Sequence, residues 1–190
     1  MLQIIRYTDN PIISPVPEWE WCVRMSMNPG VVYDKGLFRM LFTAGHRNGT
    51  MALGYAESKD GYHFDLRAEP FLGPDPDENA FDHASAEDPR ITTFEGKHYI
   101  AYAARSFNLH LYARGESRLG PDGNRNPTWT RDFRRIGLAM TEHWRSVKRL
   151  GPLSSEHLSD ANAALFPEKI NGKFAYLHRP TPCAAWTLPG

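Results

Sequence analysis

Short apolar runs alternate with turn signals along most of the chain, and one such unit occurs three times. Each copy contains a Xaa-Pro step, an apolar run, a turn that ends in glycine, and a second apolar strand with aromatic residues. The copies cover residues 28–42, 88–102 and 166–177. The turns at Asp34-Lys35-Gly36, Glu95-Gly96 and Asn171-Gly172 predict that each copy is a β-hairpin.

A second pattern follows the first two copies, with an apolar run that contains Gly-x-Ala, a polar turn and an aromatic residue. It occurs at 53–64 and 136–144, and two hairpins per unit predict a four-stranded blade. The prolines at 29, 89 and 167 are 60 and 78 residues apart, a spacing typical of β-propeller blades. A β-sandwich would not need the same hairpin at the start of every unit, so the pattern predicts an all-β fold of the β-propeller type.

The number of blades is small for a propeller. We expect blade one at about 22–70, blade two at about 84–150, and the start of blade three at about 160–180. Propellers have about four to eight blades, so we expect either a part of a larger propeller or a chain whose open edges are covered by a partner, such as a second copy. The polar segment 114–135 predicts a long solvated loop within blade two.

Composition narrows the classes of function. The chain has 22 basic and 22 acidic side chains, which give no net charge with which to attract nucleic acid or an anionic membrane. No apolar segment approaches the roughly 20 residues that span a bilayer. Cys22 and Cys183 lack metal-ligand spacing, and no secretion signal, nucleotide-binding loop or metal-binding pair is recognisable. We therefore expect a cytoplasmic protein that acts on a small molecule without a metal ion or cofactor.

Asp88 is the most unusual residue of the repeat, because it places a carboxylate at the start of a strand that is predicted to be buried. Side chains alternate along a strand, so Glu87 and Asp88 must point to opposite sides. The repeat puts Asn28 and Asp88 at equivalent positions of neighbouring blades, and the same register would bring Lys169 near the propeller axis in the third. Asp88 could be a general acid, which must be protonated to act, or a structural carboxylate that pairs with Arg90 or caps a turn.

Three motifs resemble those of glycoside hydrolase family 130, the β-mannoside phosphorylases and β-mannosidases. They are Met27-Asn28-Pro29-Gly30, Glu87-Asp88-Pro89-Arg90, and Leu-Phe-Pro-Glu-Lys-Ile-Asn-Gly-Lys at 165–173. The resemblance covers about residues 10 to 180. It implies a five-bladed propeller, of which this chain would be the N-terminal part, and it implies that Asp88 is the catalytic acid.

The resemblance also implies where substrates bind. Arg105 and Lys169 match or lie near the phosphate ligands of the family, and His178 and Arg179 could add to them. For the sugar, the candidates are Asn28, His46, Arg47 and Asp160. His46 and Arg47 lie in a stretch where this sequence departs from the family's pattern. The identity of the sugar therefore does not follow from the family. Each cation could instead form a surface salt bridge, and Asp160 could cap a turn.

The balance of cations and carboxylates separates two reactions. An inverting glycosidase needs a second carboxylate to activate water, whereas a phosphorylase uses inorganic phosphate that is held by cations. The candidate cations favour an inverting phosphorylase, with phosphate as co-substrate, which acts on β-mannosides or related oligosaccharides and releases a sugar 1-phosphate. A hydrolase of the same fold and a truncated, non-catalytic carbohydrate-binding remnant are the alternatives.

Overall fold

A computed structural model describes residues 5–106, 134–156 and 158–181. Within these ranges the chain forms ten β-strands and no helix. The strands are β1 (Ser26–Asp34), β2 (Leu37–Gly45), β3 (Met51–Ser58), β4 (Asp65–Leu66), β5 (Ser85–Phe94), β6 (Lys97–Arg105), β7 (Arg135–Thr141), β8 (Lys148–Pro152), β9 (Ser159–Leu165) and β10 (Tyr176–Thr181). Most of the loop predicted at 114–135 lies outside the described residues. No helix in the described ranges is long and apolar enough to cross a membrane.

The strands form two four-stranded antiparallel units and one further hairpin. Blade one is β1–β4, blade two is β5–β8, and β9 pairs with β10 as a separate two-stranded sheet. A single parallel pair, Met51 with Ser85, connects the two blades. The first strands β1, β5 and β9 lie side by side. The chain is therefore all-β and forms part of a β-propeller, as the repeated hairpins predict.

The three hairpin turns share one backbone conformation. Their central residues, Lys35-Gly36, Glu95-Gly96 and Asn171-Gly172, all have positive φ, between 49° and 84°. Positive φ at both central positions defines a type I′ turn, which matches the twist of the flanking strands. The three turns that the sequence predicts are thus confirmed.

The predicted register of the third hairpin is wrong. The Phe166-Pro167 step does not begin an inner strand, because β9 already ends at Leu165 and residues 166–169 lead into the turn. In the first two hairpins a two-residue bulge, Asn28-Pro29 or Asp88-Pro89, faces a single residue of the next strand. The corresponding bulge in β9 is Ala161-Asn162. The sequence contained a sign of this shift, since the proline-to-glycine gap is five residues in the third copy and seven in the others.

The Gly-x-Ala pattern has a packing cause. Gly54 on β3 pairs with Phe42 on β2, and Gly137 on β7 pairs with Tyr102 on β6. A methyl group on Gly54 would lie 2.3 Å from the Phe42 ring, and one on Gly137 would lie 2.2 Å from the Tyr102 ring. Each aromatic ring therefore covers a glycine on the neighbouring strand, and a larger residue cannot replace that glycine without moving the ring.

Buried polar contacts connect the two blades near their hairpin turns. The Asp34 carboxylate of blade one accepts a hydrogen bond from Trp144 Nε1 at 3.0 Å and lies 3.5 Å from His98 Nε2 of blade two. The His98 ring also packs on Trp144, with ring centroids 4.5 Å apart. Burial lowers the pKa of His98, although Asp34 acts in the opposite direction. His98 is therefore held mainly as a neutral imidazole.

Candidate active site

The polar residues of interest gather at one end of the blades. Asn28, Asp88 and Asp160 lie within the first four residues of β1, β5 and β9. We call this the site end, and the opposite end, where the type I′ turns lie, the hairpin end. The prediction that Asn28 and Asp88 are equivalent is confirmed, since each has positive φ (50° and 54°) and each stands with its proline in the two-residue bulge.

Asp88 is held by blade one. Its backbone N–H donates to Thr43 Oγ1 at 2.8 Å, and its Oδ1 accepts a hydrogen bond from Asn28 Nδ2 at 2.6 Å. The side chain is half-buried. No sequence motif points to Thr43, because it lies 45 positions from Asp88 and no local pattern connects the two residues.

The alternative in which Asp88 pairs with Arg90 has no support in the described part of the chain. Arg90 donates to the carbonyl oxygen of Pro89 at 3.0 Å, and no ion pair with Asp88 is found within residues 5–106, 134–156 and 158–181.

Glu87 points away from Asp88 into the protein, as strand alternation predicts. Its Oε1 accepts hydrogen bonds from Ser85 Oγ at 2.6 Å and from Arg105 Nε at 3.0 Å, and both charged side chains are at least nine-tenths buried. Arg105 therefore lies at the site end, in a buried ion pair beside the strand that carries Asp88.

Asp160 corresponds to Glu87 rather than to Asp88, because it precedes the bulge of β9. The side chain is fully buried. Its Oδ2 lies 2.6 Å from His178 Nδ1, and its Oδ1 accepts the backbone N–H of Arg179 at 3.1 Å. Both carboxylate oxygens are thus engaged in holding β10 against β9.

A cavity of about 250 Å³ opens between β5 and the third hairpin. Three of its lining residues carry basic groups, namely Arg90, His178 and Arg179, and Asn162 lies beside them. His178 is oriented by its contact with Asp160. The structure thus brings His178 and Arg179 together at the site end, in a cavity whose basic lining would favour an anion.

Lys169 lies elsewhere. Its Nζ is 3.8 Å from Glu95 Oε1 and about 5 Å from the ring centroids of Phe94 and Phe174, at the hairpin end. Glu95 follows Asp88 by seven residues, which is about 23 Å along a strand at ~3.3 Å per residue. The expectation that Lys169 shares a region with Asp88 is wrong, because it relied on the incorrect register of the third hairpin.

His46 and Arg47 follow β2 at the site end but do not contact Asp88. Arg47 Nε lies 2.9 Å and 3.0 Å from the two carboxylate oxygens of Glu20, and both side chains are exposed. His46 Nδ1 accepts the backbone N–H of Asn48 at 3.0 Å. His46 also lines a second cavity, of about 200 Å³, together with Met25 and Thr50.

Comparison with known proteins shows the family of the chain. A family model described as beta-1,4-mannooligosaccharide phosphorylase, glycoside hydrolase family 130, matches residues 10–187. The chain belongs to glycoside hydrolase family 130. A 1,2-beta-oligomannan phosphorylase of Thermoanaerobacter sp. is 31% identical to this family 130 chain over 189 residues, which cover 96% of the chain and 55% of the relative.

Two solved structures show the same fold. The beta-1,2-mannobiose phosphorylase of Listeria innocua, in complex with beta-1,2-mannobiose, superposes with a TM-score of 0.67 at 19% identity, over 94% of this family 130 chain and 59% of the other. A second structure is described in a study of family 130 glycoside hydrolases that target beta-1,2 mannosidic linkages in Candida mannan. It superposes with a TM-score of 0.65 at 23% identity, over 89% and 48% of the two chains. The chain spans about half the length of the proteins that it matches.

Proposed function

We propose that this chain provides the acid-bearing blades of an inverting glycoside phosphorylase that acts on β-mannosides, with β-1,2-linked mannobiose or oligomannan as the substrate class. The observation that carries the proposal is Asp88, a half-buried carboxylate that is oriented by two hydrogen bonds from the neighbouring blade. The linkage follows from the relative that acts on 1,2-beta-oligomannan.

In the proposed reaction, a phosphate oxygen attacks the anomeric carbon of the sugar from the face opposite the leaving group. The glycosidic C–O bond breaks, and the proton of Asp88 reaches the leaving oxygen directly or through a sugar hydroxyl. The products are a sugar 1-phosphate with inverted configuration and the shortened saccharide. No cofactor is required, because phosphate itself is the nucleophile.

The proposed phosphate ligands are Arg105, His178 and Arg179. All three lie at the site end, and two of them line one cavity. Lys169 is left out of this set, since its ammonium contacts Glu95 at the hairpin end. We assign Asp160 the role of orienting His178 rather than binding sugar, because both of its oxygens are already occupied.

We propose Asn28, His46 and Arg47 as the sugar ligands. Asn28 is adjacent to Asp88 and has an amide oxygen that can accept a hydrogen bond from a sugar hydroxyl. His46 lines the second cavity at the same end. Arg47 would have to leave its exposed ion pair with Glu20, which costs little because such pairs contribute about 1 kcal/mol or less.

Hydrolysis is the second candidate reaction, because family 130 also contains glycoside hydrolases that target beta-1,2 mannosidic linkages in Candida mannan. The purified protein is incubated with β-1,2-mannobiose, and with β-1,4-mannobiose for comparison of the linkage, in the presence and absence of phosphate. Phosphorus NMR detects the sugar 1-phosphate and carbohydrate chromatography detects free sugar. Phosphate-dependent formation of the sugar 1-phosphate supports the proposal, whereas equal turnover without phosphate refutes phosphorolysis.

Asp88→Asn tests the assignment of the acid. Asparagine tolerates the positive φ of this position and keeps an oxygen for Asn28, but its amide cannot donate a proton as a carboxylic acid does. We expect turnover to fall by about 10²-fold or more, the range typical of a lost general acid. Asp65→Asn, on the exposed outer strand β4, is the matched control and retains full activity. An Asp88→Asn variant with the wild-type rate would exclude Asp88 as the acid.

A further inference from the structure

We propose that Thr43 is a positioning residue, through which blade one holds the acid of blade two in its reactive orientation. The inference rests on the proposed function for its catalytic consequence, but its structural content can be measured independently. Thr43 does not touch the sugar or phosphate in this proposal. It acts only through Asp88.

The first observation concerns a backbone group that the sheet does not pair. Asp88 and Pro89 form the bulge of β5, where the pairing with β6 passes from Glu87 to Arg90. The Asp88 N–H finds its acceptor outside its own blade, in Thr43 Oγ1 at 2.8 Å. Thr43 is fully buried on β2. Because Asp88 also has a φ of 54°, which is uncommon for a residue other than glycine, its conformation depends on surrounding contacts.

The second observation is that two further contacts from blade one act on the same bulge. Asn28 Nδ2 donates to Asp88 Oδ1 at 2.6 Å. Gly30 approaches so closely that an added Cβ would lie 2.6 Å from the carbonyl oxygen of Pro89. Blade one therefore restrains both the backbone and one oxygen of Asp88.

The third observation is that the blade repeat does not require a hydroxyl at position 43. Thr43 pairs with Met27, and the equivalent pair in blade two is Ala103 with Glu87. Alanine fills that position equally well within the sheet and is likewise buried. Of the two four-stranded blades that the structure describes, only blade one has a hydroxyl at this position, and there it accepts the Asp88 N–H.

Two substitutions separate the hydroxyl from the rest of the side chain. Thr43→Val has nearly the same shape and suits a strand, but it cannot accept the hydrogen bond. Thr43→Ser keeps the hydroxyl. Thr92→Val is the matched control, because Thr92 Oγ1 also forms a hydrogen bond between neighbouring blades, to the carbonyl oxygen of Leu165 at 3.1 Å, but lies four residues from Asp88 toward the hairpin end.

The experiment combines amide hydrogen exchange by NMR with steady-state kinetics on the same proteins. We expect the Asp88 amide to lose protection in Thr43→Val and to keep it in Thr43→Ser and Thr92→Val. With β-1,2-mannobiose and phosphate, kcat should fall on the order of 10²-fold in Thr43→Val, since a misplacement of about 1 Å can have that effect. KM should change less than about twofold, and Thr43→Ser should restore kcat.

Each outcome decides a separate point. Unchanged protection of the Asp88 amide in Thr43→Val would overturn the inference whether or not the protein is active. Lost protection with an unchanged kcat would show a contact without a positioning role, and would overturn it as well. A wild-type protein without phosphorolysis overturns the proposed function, while the exchange measurement still decides whether Thr43 holds Asp88. Thr43→Ala is the second variant if Thr43→Val does not fold, as judged by its unfolding transition in urea.

Discussion

The close approach of Gly30 to Pro89 allows a direct test of how the two blades are joined. In Gly30→Ala the new Cβ would lie 2.6 Å from the Pro89 carbonyl oxygen, and ordinary van der Waals contact begins at about 3.4 Å. The obstacle is backbone, which cannot rotate away as a flexible side chain can. The first strands must therefore separate by about 0.8 Å, or the bulge must distort by a similar distance.

The same displacement would weaken the contacts that hold Asp88. If it is transmitted fully, the Asn28 Nδ2 to Asp88 Oδ1 distance rises from 2.6 Å to about 3.4 Å, beyond the usual range of such a hydrogen bond. Overpacking of this kind typically costs about 1–3 kcal/mol of unfolding free energy. We expect a stability loss in that range together with a fall in kcat of about 10-fold or more.

Urea unfolding and phosphorolysis of β-1,2-mannobiose measure the two effects. Gly73→Ala is the matched control, because no atom lies within 4 Å of the Cβ that it would add. It should unfold at the same urea concentration as the wild type or slightly higher, since alanine restricts the unfolded chain. If Gly30→Ala matched Gly73→Ala in stability and in kcat, the argument that close packing of the blades holds Asp88 would be refuted.

Two further predictions concern buried charge. Glu87→Gln removes the carboxylate of a buried ion pair with Arg105, so we expect a loss of about 3–5 kcal/mol in urea unfolding. Glu20→Gln, which breaks the exposed pair with Arg47, should cost about 1 kcal/mol or less; equal losses would contradict the reasoning. Burial lowers the pKa of His98, so the folded state binds fewer protons than the unfolded state, and stability that is present above about pH 6.5 declines as the pH falls below it. The urea midpoint of the wild type should fall between pH 7 and pH 5, and that of His98→Asn should fall less; parallel pH profiles would count against His98.

Local features of the chain were predictable because local physics determines them. The turns at Lys35-Gly36, Glu95-Gly96 and Asn171-Gly172 could be predicted without knowledge of the rest of the fold, because the glycine of each pair adopts positive φ without strain. The equivalence of Asn28 and Asp88 was also predictable, since the same Xaa-Pro step stands seven residues before each glycine-containing turn.

The third hairpin shows where such reasoning fails. The Phe166-Pro167 step resembles the other two in sequence but follows the end of β9, so the predicted positions of residues around it were displaced. Lys169 was predicted near Asp88 but lies against Glu95 at the hairpin end. Asp160, a candidate sugar ligand in the sequence, is instead the partner of His178. Strand register depends on pairing across the hairpin, which a motif in one strand does not specify.

By itself, the sequence determined the all-β repeat, its turns and the family, and it predicted an acid at position 88. Only the tertiary structure decided what surrounds that acid, namely Thr43 on its backbone, Asn28 on its carboxylate, and the buried pair of Glu87 with Arg105 behind it. The physical reason is distance along the chain. Turn conformation is set by neighbouring residues, whereas the contacts of Asp88 join residues 45 and 60 positions apart and exist only when two blades pack together.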